Sequence, residues 1–302
     1  MAMNSRFSWK FALQGVGVIC LALTLSSSPL SAQTAISGQL RLANQAYLQA
    51  GANERAGASQ ALRQALTKDQ LASADERAKA YFLLGDQDVT DRKNDRALRQ
   101  VKTGLALLEG RLDPQAARVR ALGHQVRMQA LMAKGERELA YKQALDARQD
   151  YGPPKPMADE TWDRTWDQLF MWRTITYASL RGAEKSRADA MSGHFAETQN
   201  RGGTAGQCPY QDTPIKIDNW EANLPDYPIM AIFSNRSGGV MMRVDVGPDG
   251  RASKIVSTAY TPSVDFAIMT ERAARGMTFS GSGLSDPACR TGRPVLVLFR
   301  AW

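Results

Sequence analysis

Between Gly239 and Arg251 the chain reads Gly-Val-Met-Met-Arg-Val-Asp-Val-Gly-Pro-Asp-Gly-Arg, which leaves few options besides a β-hairpin. Val240, Met242, Val244 and Val246 recur at the two-residue period of a strand. Arg243 and Asp245 take the alternate positions, so the expectation is a half-buried strand with one apolar and one polar face. Pro248 presets φ for a turn, Asp249 can accept a bond from the backbone just beyond it, and Gly250 tolerates positive φ. A second strand is expected from Ala252 to Tyr260.

The flanks extend the pattern. Upstream stands Asn223-Leu224-Pro225-Asp226-Tyr227-Pro228, followed by Ala231; downstream come Asp265, Ala267 and Ala274 at helical spacing, then Phe279. Together with Gly239, Val240, Asp249 and Gly250, this order resembles the TonB C-terminal domain family over roughly the last third of the chain, a usual small-domain length. The chain departs from that family at Leu224, Met277 and Gly281. The resemblance implies a small domain with an antiparallel three-stranded sheet and two helices. It also implies that the last strand, within Pro294–Trp302, lies at a sheet edge. Val295, Val297 and Phe299 would occupy one face and Leu296 and Leu298 the other, with the backbone either able to pair with a partner segment or capped by the helical domain or a second copy of the chain.

The N-terminus has the layout of a secretory signal. Arg6 and Lys10 precede an apolar run from Phe11 to Leu25, and a Ser- and Ala-containing segment ends at Ala32. The run is shorter than the roughly 20 residues of a spanning helix. Cleavage after Ala32 and a periplasmic location are expected; an uncleaved inner-membrane anchor is the alternative. Arg6 and Lys10 are the only charges of that segment, so the formal charge falls from +8 to +6 on its removal. The remaining basic residues are dispersed and not interleaved with aromatics, which points away from nucleic acid.

Of 3 cysteines, Cys20 leaves with the signal, and Cys208 and Cys289 remain. An even count in an oxidising compartment reads as a disulfide, with two separate buried thiols as the alternative.

From Thr34 to Gly152 the sequence is rich in Ala, Leu, Gln, Arg and Glu at helical spacing. Ala80–Gly85 followed by Ala97 approaches the tetratricopeptide pattern of paired helices. Ala43–Tyr47 with Ala58, Leu62 and Ala65 fits an earlier copy, and Leu122-Gly123 with Ala140, Ala144 and Ala147 a later one. An irregular bundle with the same Ala-rich contacts is the competing reading. Asp113-Pro114 reads as a capped helix start, and Gly152–Pro156 as a break. Beyond it, Trp162, Trp166, Leu169, Phe170, Arg173 and Tyr177 share one helix face. They form either a peptide or glycan platform or, as favoured here, a helix closing the stack. Residues 202–206 read as a linker.

The expected architecture is therefore α+β: a signal peptide (1–32), an all-α tetratricopeptide-like domain (33–200), a linker (201–207) and a TonB-like domain (208–302). No catalytic motif is seen. His124 and His194 have no neighbour at metal-ligand spacing, and neither a Walker loop nor a Gly-x-Ser-x-Gly elbow occurs, so neither metal nor cofactor is expected. The expected function is non-enzymatic: a periplasmic module that binds an outer-membrane receptor or soluble envelope protein, with self-association open. The alternatives are an anchored energy transducer serving TonB-dependent receptors, and an envelope hydrolase built on scattered carboxylates such as Asp159, Glu160 and Asp286.

Overall fold

The structure, a computed structural model, describes residues 38–51, 54–152, 163–192, 215–219, 225, 238–261 and 264–299. The signal segment, the linker, Trp162, His194, Cys208, Tyr227, Pro228 and Arg300–Trp302 lie outside the described residues.

The fold is α+β. Helices come first: α1 (Gln39–Gln49), α2 (Arg55–Lys68), α3 (Ala74–Thr90), α4 (Asn94–Ala106), α5 (Pro114–Ala133), α6 (Arg137–Tyr151), α7 (Arg164–Ser179) and α8 (Ala183–Ser192). Then follow β1 (Lys216–Ile217), β2 (Gly238–Val246), β3 (Ala252–Thr261), α9 (Val264–Ala274), β4 (Phe279–Ser280), the short α10 (Pro287–Arg290) and β5 (Arg293–Phe299). Asp113 caps α5 by accepting from the Ala116 amide at 2.9 Å, with Pro114 just inside, as the sequence suggests. Ser73 and Asp163 cap α3 and α7 in the same way.

From α1 to α7, helices that follow one another in sequence also pack on one another, α1 on α2, α3 on α4 and α5 on α6 among them. Small residues set how closely they approach. The ring of Phe82, fully buried on α3, fits between Gly104 of α4 and Gly123 of α5. A Cβ built on either glycine would fall 2.4 or 2.6 Å from the Phe82 ring. Burying a ring of this size stabilises by about 1.5–3 kcal/mol. Asp88, also fully buried, is held by Arg96 and lies 3.8 Å from Arg63.

β2 is the centre of a three-stranded antiparallel sheet of order β3-β2-β5. Its turn is the expected one: the Gly247 amide donates to the Arg251 carbonyl at 2.7 Å, and Gly250 has φ 77°. On one face, Val240, Met242, Val244, Val295, Val297 and Phe299 pack against Phe266 and Ala267 of α9. A two-stranded sheet of β1 and β4, which the sequence did not suggest, adds Ile217 and Phe279 to this core.

The opposite face corrects the half-buried reading of β2. Met241, Ala259, Leu296 and Leu298 pack on Met171 and Ile175 of α7, so the sheet is covered on both sides. Arg243 is therefore not a surface residue. It is 5% exposed and pairs with Asp167 of α7, itself 1% exposed. Two glycines let the layers close: a Cβ on Gly239 would meet Ile175 at 3.0 Å, and one on Gly238 would meet the Thr261 carbonyl at 2.5 Å.

The aromatic stripe of α7 is accordingly an internal seam. Trp166, Leu169, Trp172 and Arg173 are buried. The helix is buried or half-buried along most of its length because α5 and α6 flank it on one side and the sheet on the other.

Candidate functional site

The two outer strands of the sheet differ in how their edges are treated. β3 carries two register irregularities against β2, at Met241/Met242 and Asp245/Val246. Side chains also occupy its outer backbone groups. The Ser257 amide donates to Glu271 Oε1 at 3.0 Å, and the Tyr260 carbonyl accepts from Gln168 Nε2 at 3.5 Å. Bulges and side-chain caps of this kind blunt an edge against further pairing.

β5 pairs with β2 in unbroken register from Gly238↔Phe299 to Val244↔Arg293. The direction of its backbone groups follows from β2. The carbonyls of Met241 and Asp245 accept from Thr258 and Ser253 of β3, so these odd-numbered residues turn their backbone toward β3. Antiparallel alternation then assigns Val240, Met242 and Val244 to the β5 ladder. The positions opposite Arg243, Met241 and Gly239, namely Pro294, Leu296 and Leu298, direct their backbone off the sheet. Pro294 fits this, because a proline in a strand belongs where its missing donor faces outward. Among the described residues, β5 pairs with β2 alone.

Beside this edge lies a groove of about 280 Å³, walled by Ile215 and Ile217 on one side and Pro294, Val295 and Leu296 on the other, with Phe279 and Arg293 completing it. The five residues Val295, Leu296, Val297, Leu298 and Phe299 are thus brought together as one strand whose side chains pack into the layers on both faces of the sheet. Of the motif residues, Gly239 and Val240 serve β2 packing, and Asp249 and Gly250 form the turn. Asp249 Oδ1 accepts from the Arg251 amide at 3.1 Å. A Cβ on Gly250 would lie 2.3 Å from the Phe279 carbonyl. Cys289 is buried and disulfide-bonded.

The polar clusters of the helical part are structural. His124 Nδ1 lies 2.7 Å from Gln143 Nε2, and its Nε2 lies 3.4 Å from Asp150, which Arg120 also contacts at 2.8 Å. Tyr151 donates to Asp163; burial first, and that carboxylate second, push its hydroxyl up to about 12. Asp286 caps α10 by accepting from Ala288. No group of three potential metal ligands, and no helix long and apolar enough to cross a membrane, occurs among the described residues.

Comparison with family models, with curated proteins and with solved structures finds no match to this chain. The geometry itself carries the functional reading.

Proposed function

We propose that this chain is an exported, non-enzymatic protein-binding module that captures an extended segment of an envelope protein by strand addition to β5. In this reading the helix pairs form a tetratricopeptide-like stack and the sheet with α9 a TonB-like domain. The observation that carries it is the contrast between edges: β3 is bulged and capped by Gln168 and Glu271, whereas β5 is regular and presents Leu296 and Leu298 backbone outward. Main-chain pairing supplies affinity in such recognition, and flanking pockets supply side-chain preference. The groove beside Val295 suits an apolar residue of the incoming strand.

The test is capture of crosslinked partners in intact cells by Leu296→Pro and Leu298→Pro variants, with Leu296→Ala and Leu298→Ala as controls. The prolines remove one outward donor each, whereas the alanines keep it while losing the same packing. Loss of capture in the prolines beyond that in the alanines supports strand addition. Equal capture by all four folded variants removes β5 as the binding edge. Outer-membrane receptors in the catch would favour an anchored transducer, and a second copy of this chain would make the edge a self-association site.

A further inference from the structure

The small sheet of β1 and β4 is joined to the larger one. Arg251, just before β3, bridges to Thr278, and the Phe279 amide donates to the Gly250 carbonyl at 2.7 Å, so β4 continues the sheet from the turn end of the hairpin. β1 pairs with β4 in turn, and the strands follow one another as β5-β2-β3-β4-β1. The curl brings the two ends together, because Ile215 and Ile217 border the same groove as Val295 and Leu296. Val295 and Phe279 belong to the core on the α9 face, and Ile215 and Ile217 pack against it. The groove is the open side of that core.

Its size and lining define what can fill it. At about 280 Å³ it falls just under the roughly 300–1,000 Å³ of small-ligand sites, which suits one large side chain. Every side chain lining it is apolar except Arg293, whose guanidinium donates to the Cys289 carbonyl at 3.3 Å. The described lining thus offers no side-chain acceptor, and an amide that enters loses its bonds to water. A segment added to β5, whichever way it runs, sets the residue opposite Val295 on the same face as Val295, since side chains alternate along a strand. That residue meets Ile215 and Ile217 across the groove.

We propose that the groove is a specificity pocket for one bulky aliphatic side chain, leucine or isoleucine, carried by the added strand opposite Val295, with β1 as the second wall. The inference rests on the strand-addition reading of β5 and narrows the segment it takes.

The experiment uses the purified full chain and fluorescein-labelled, end-capped probes of seven residues, all threonine except for leucine, asparagine or alanine at the centre. Asparagine matches leucine in shape and differs in polarity. Fluorescence anisotropy is expected to show the leucine probe binding roughly tenfold or more tightly than the other two, the scale of burying a few methylene groups. Ile215→Trp, which fills the groove, and Ile215→Ala, which widens it, are each expected to reduce that advantage severalfold, and Leu298→Pro to weaken all three probes together. No binding of any probe, or binding that Leu298→Pro does not change, removes strand addition and the pocket with it. Probes that bind and weaken in Leu298→Pro, but show no leucine advantage or one that survives both Ile215 variants, leave strand addition standing and overturn the pocket.

Discussion

The guanidinium of Arg243 sits 2.6 Å from Oδ1 and 3.2 Å from Oδ2 of Asp167, in a forked pairing that ties the middle strand of the sheet to α7. With so little of either side chain exposed, removing one partner strands a charge in the interior. Asp167→Ala is expected to destabilise the protein by about 3–5 kcal/mol in urea unfolding. Replacing both, as Asp167→Leu with Arg243→Met, should recover most of that loss. A double variant no more stable than the single one would show that the pair is not the source of the effect.

Phe82 and its glycine niche provide a steric test. Gly123→Ala forces the ring to shift in a packed core, and overpacking of this kind costs about 1–3 kcal/mol. Adding Phe82→Leu should restore part of the stability by shortening the side chain that meets the new methyl. Thermal melting of the three variants measures the coupling, and additive losses would contradict the geometry.

Asp150 governs an acid-sensitive step. Its hydrogen bond from His124, opposed by partial burial and supported by Arg120, lowers its carboxyl from the ordinary 3.8 to about 2. A carboxylate whose pKa is depressed on folding contributes stability above its unfolded value, and that contribution disappears as pH falls through the folded value. The Asp150→Asn variant should therefore show a shallower decline in urea midpoint between pH 4 and pH 2 than the parent. Parallel curves over that window would show that the contact does not persist in solution. The side chain is 37% exposed, so the difference is small and decreases with salt.

Cys289 is held in a disulfide. If its partner is Cys208, thiol titration of unreduced exported protein finds neither residue free, and peptide mapping recovers the two linked. Cys289→Ser should then cost about 2–4 kcal/mol. A free Cys208 would assign the bond elsewhere.

The hairpin turn and the α5 cap were readable because each depends on residues within a few positions of one another. Pro248, Asp249 and Gly250 make their turn wherever the strand is placed. Arg243 was misread for the opposite reason. Alternation along a strand tells which residues share a face, but not that a helix will cover the second face, and its carboxylate partner stands 76 positions earlier. The same distance hid the capping of Tyr260 by Gln168, 92 positions away, and the groove that β1 and β5 share. The family resemblance placed β5 at an edge. It gave no sign that α7 would cover one face of the sheet, because α7 precedes the matched segment.

The shared helix also dictates an order of events during synthesis. α7 leaves the ribosome well before β2, so Met171 and Ile175 must wait for Met241 and the leucines of β5. Contacts of such long sequence separation slow folding, because the intervening chain is ordered before they form. In that interval the helical half carries an uncovered apolar strip, and chains ending before Gly238 keep it permanently. Shortened forms should therefore self-associate more readily than the full-length protein, and the nascent chain is most in need of a chaperone just as α7 has folded and the sheet has yet to arrive.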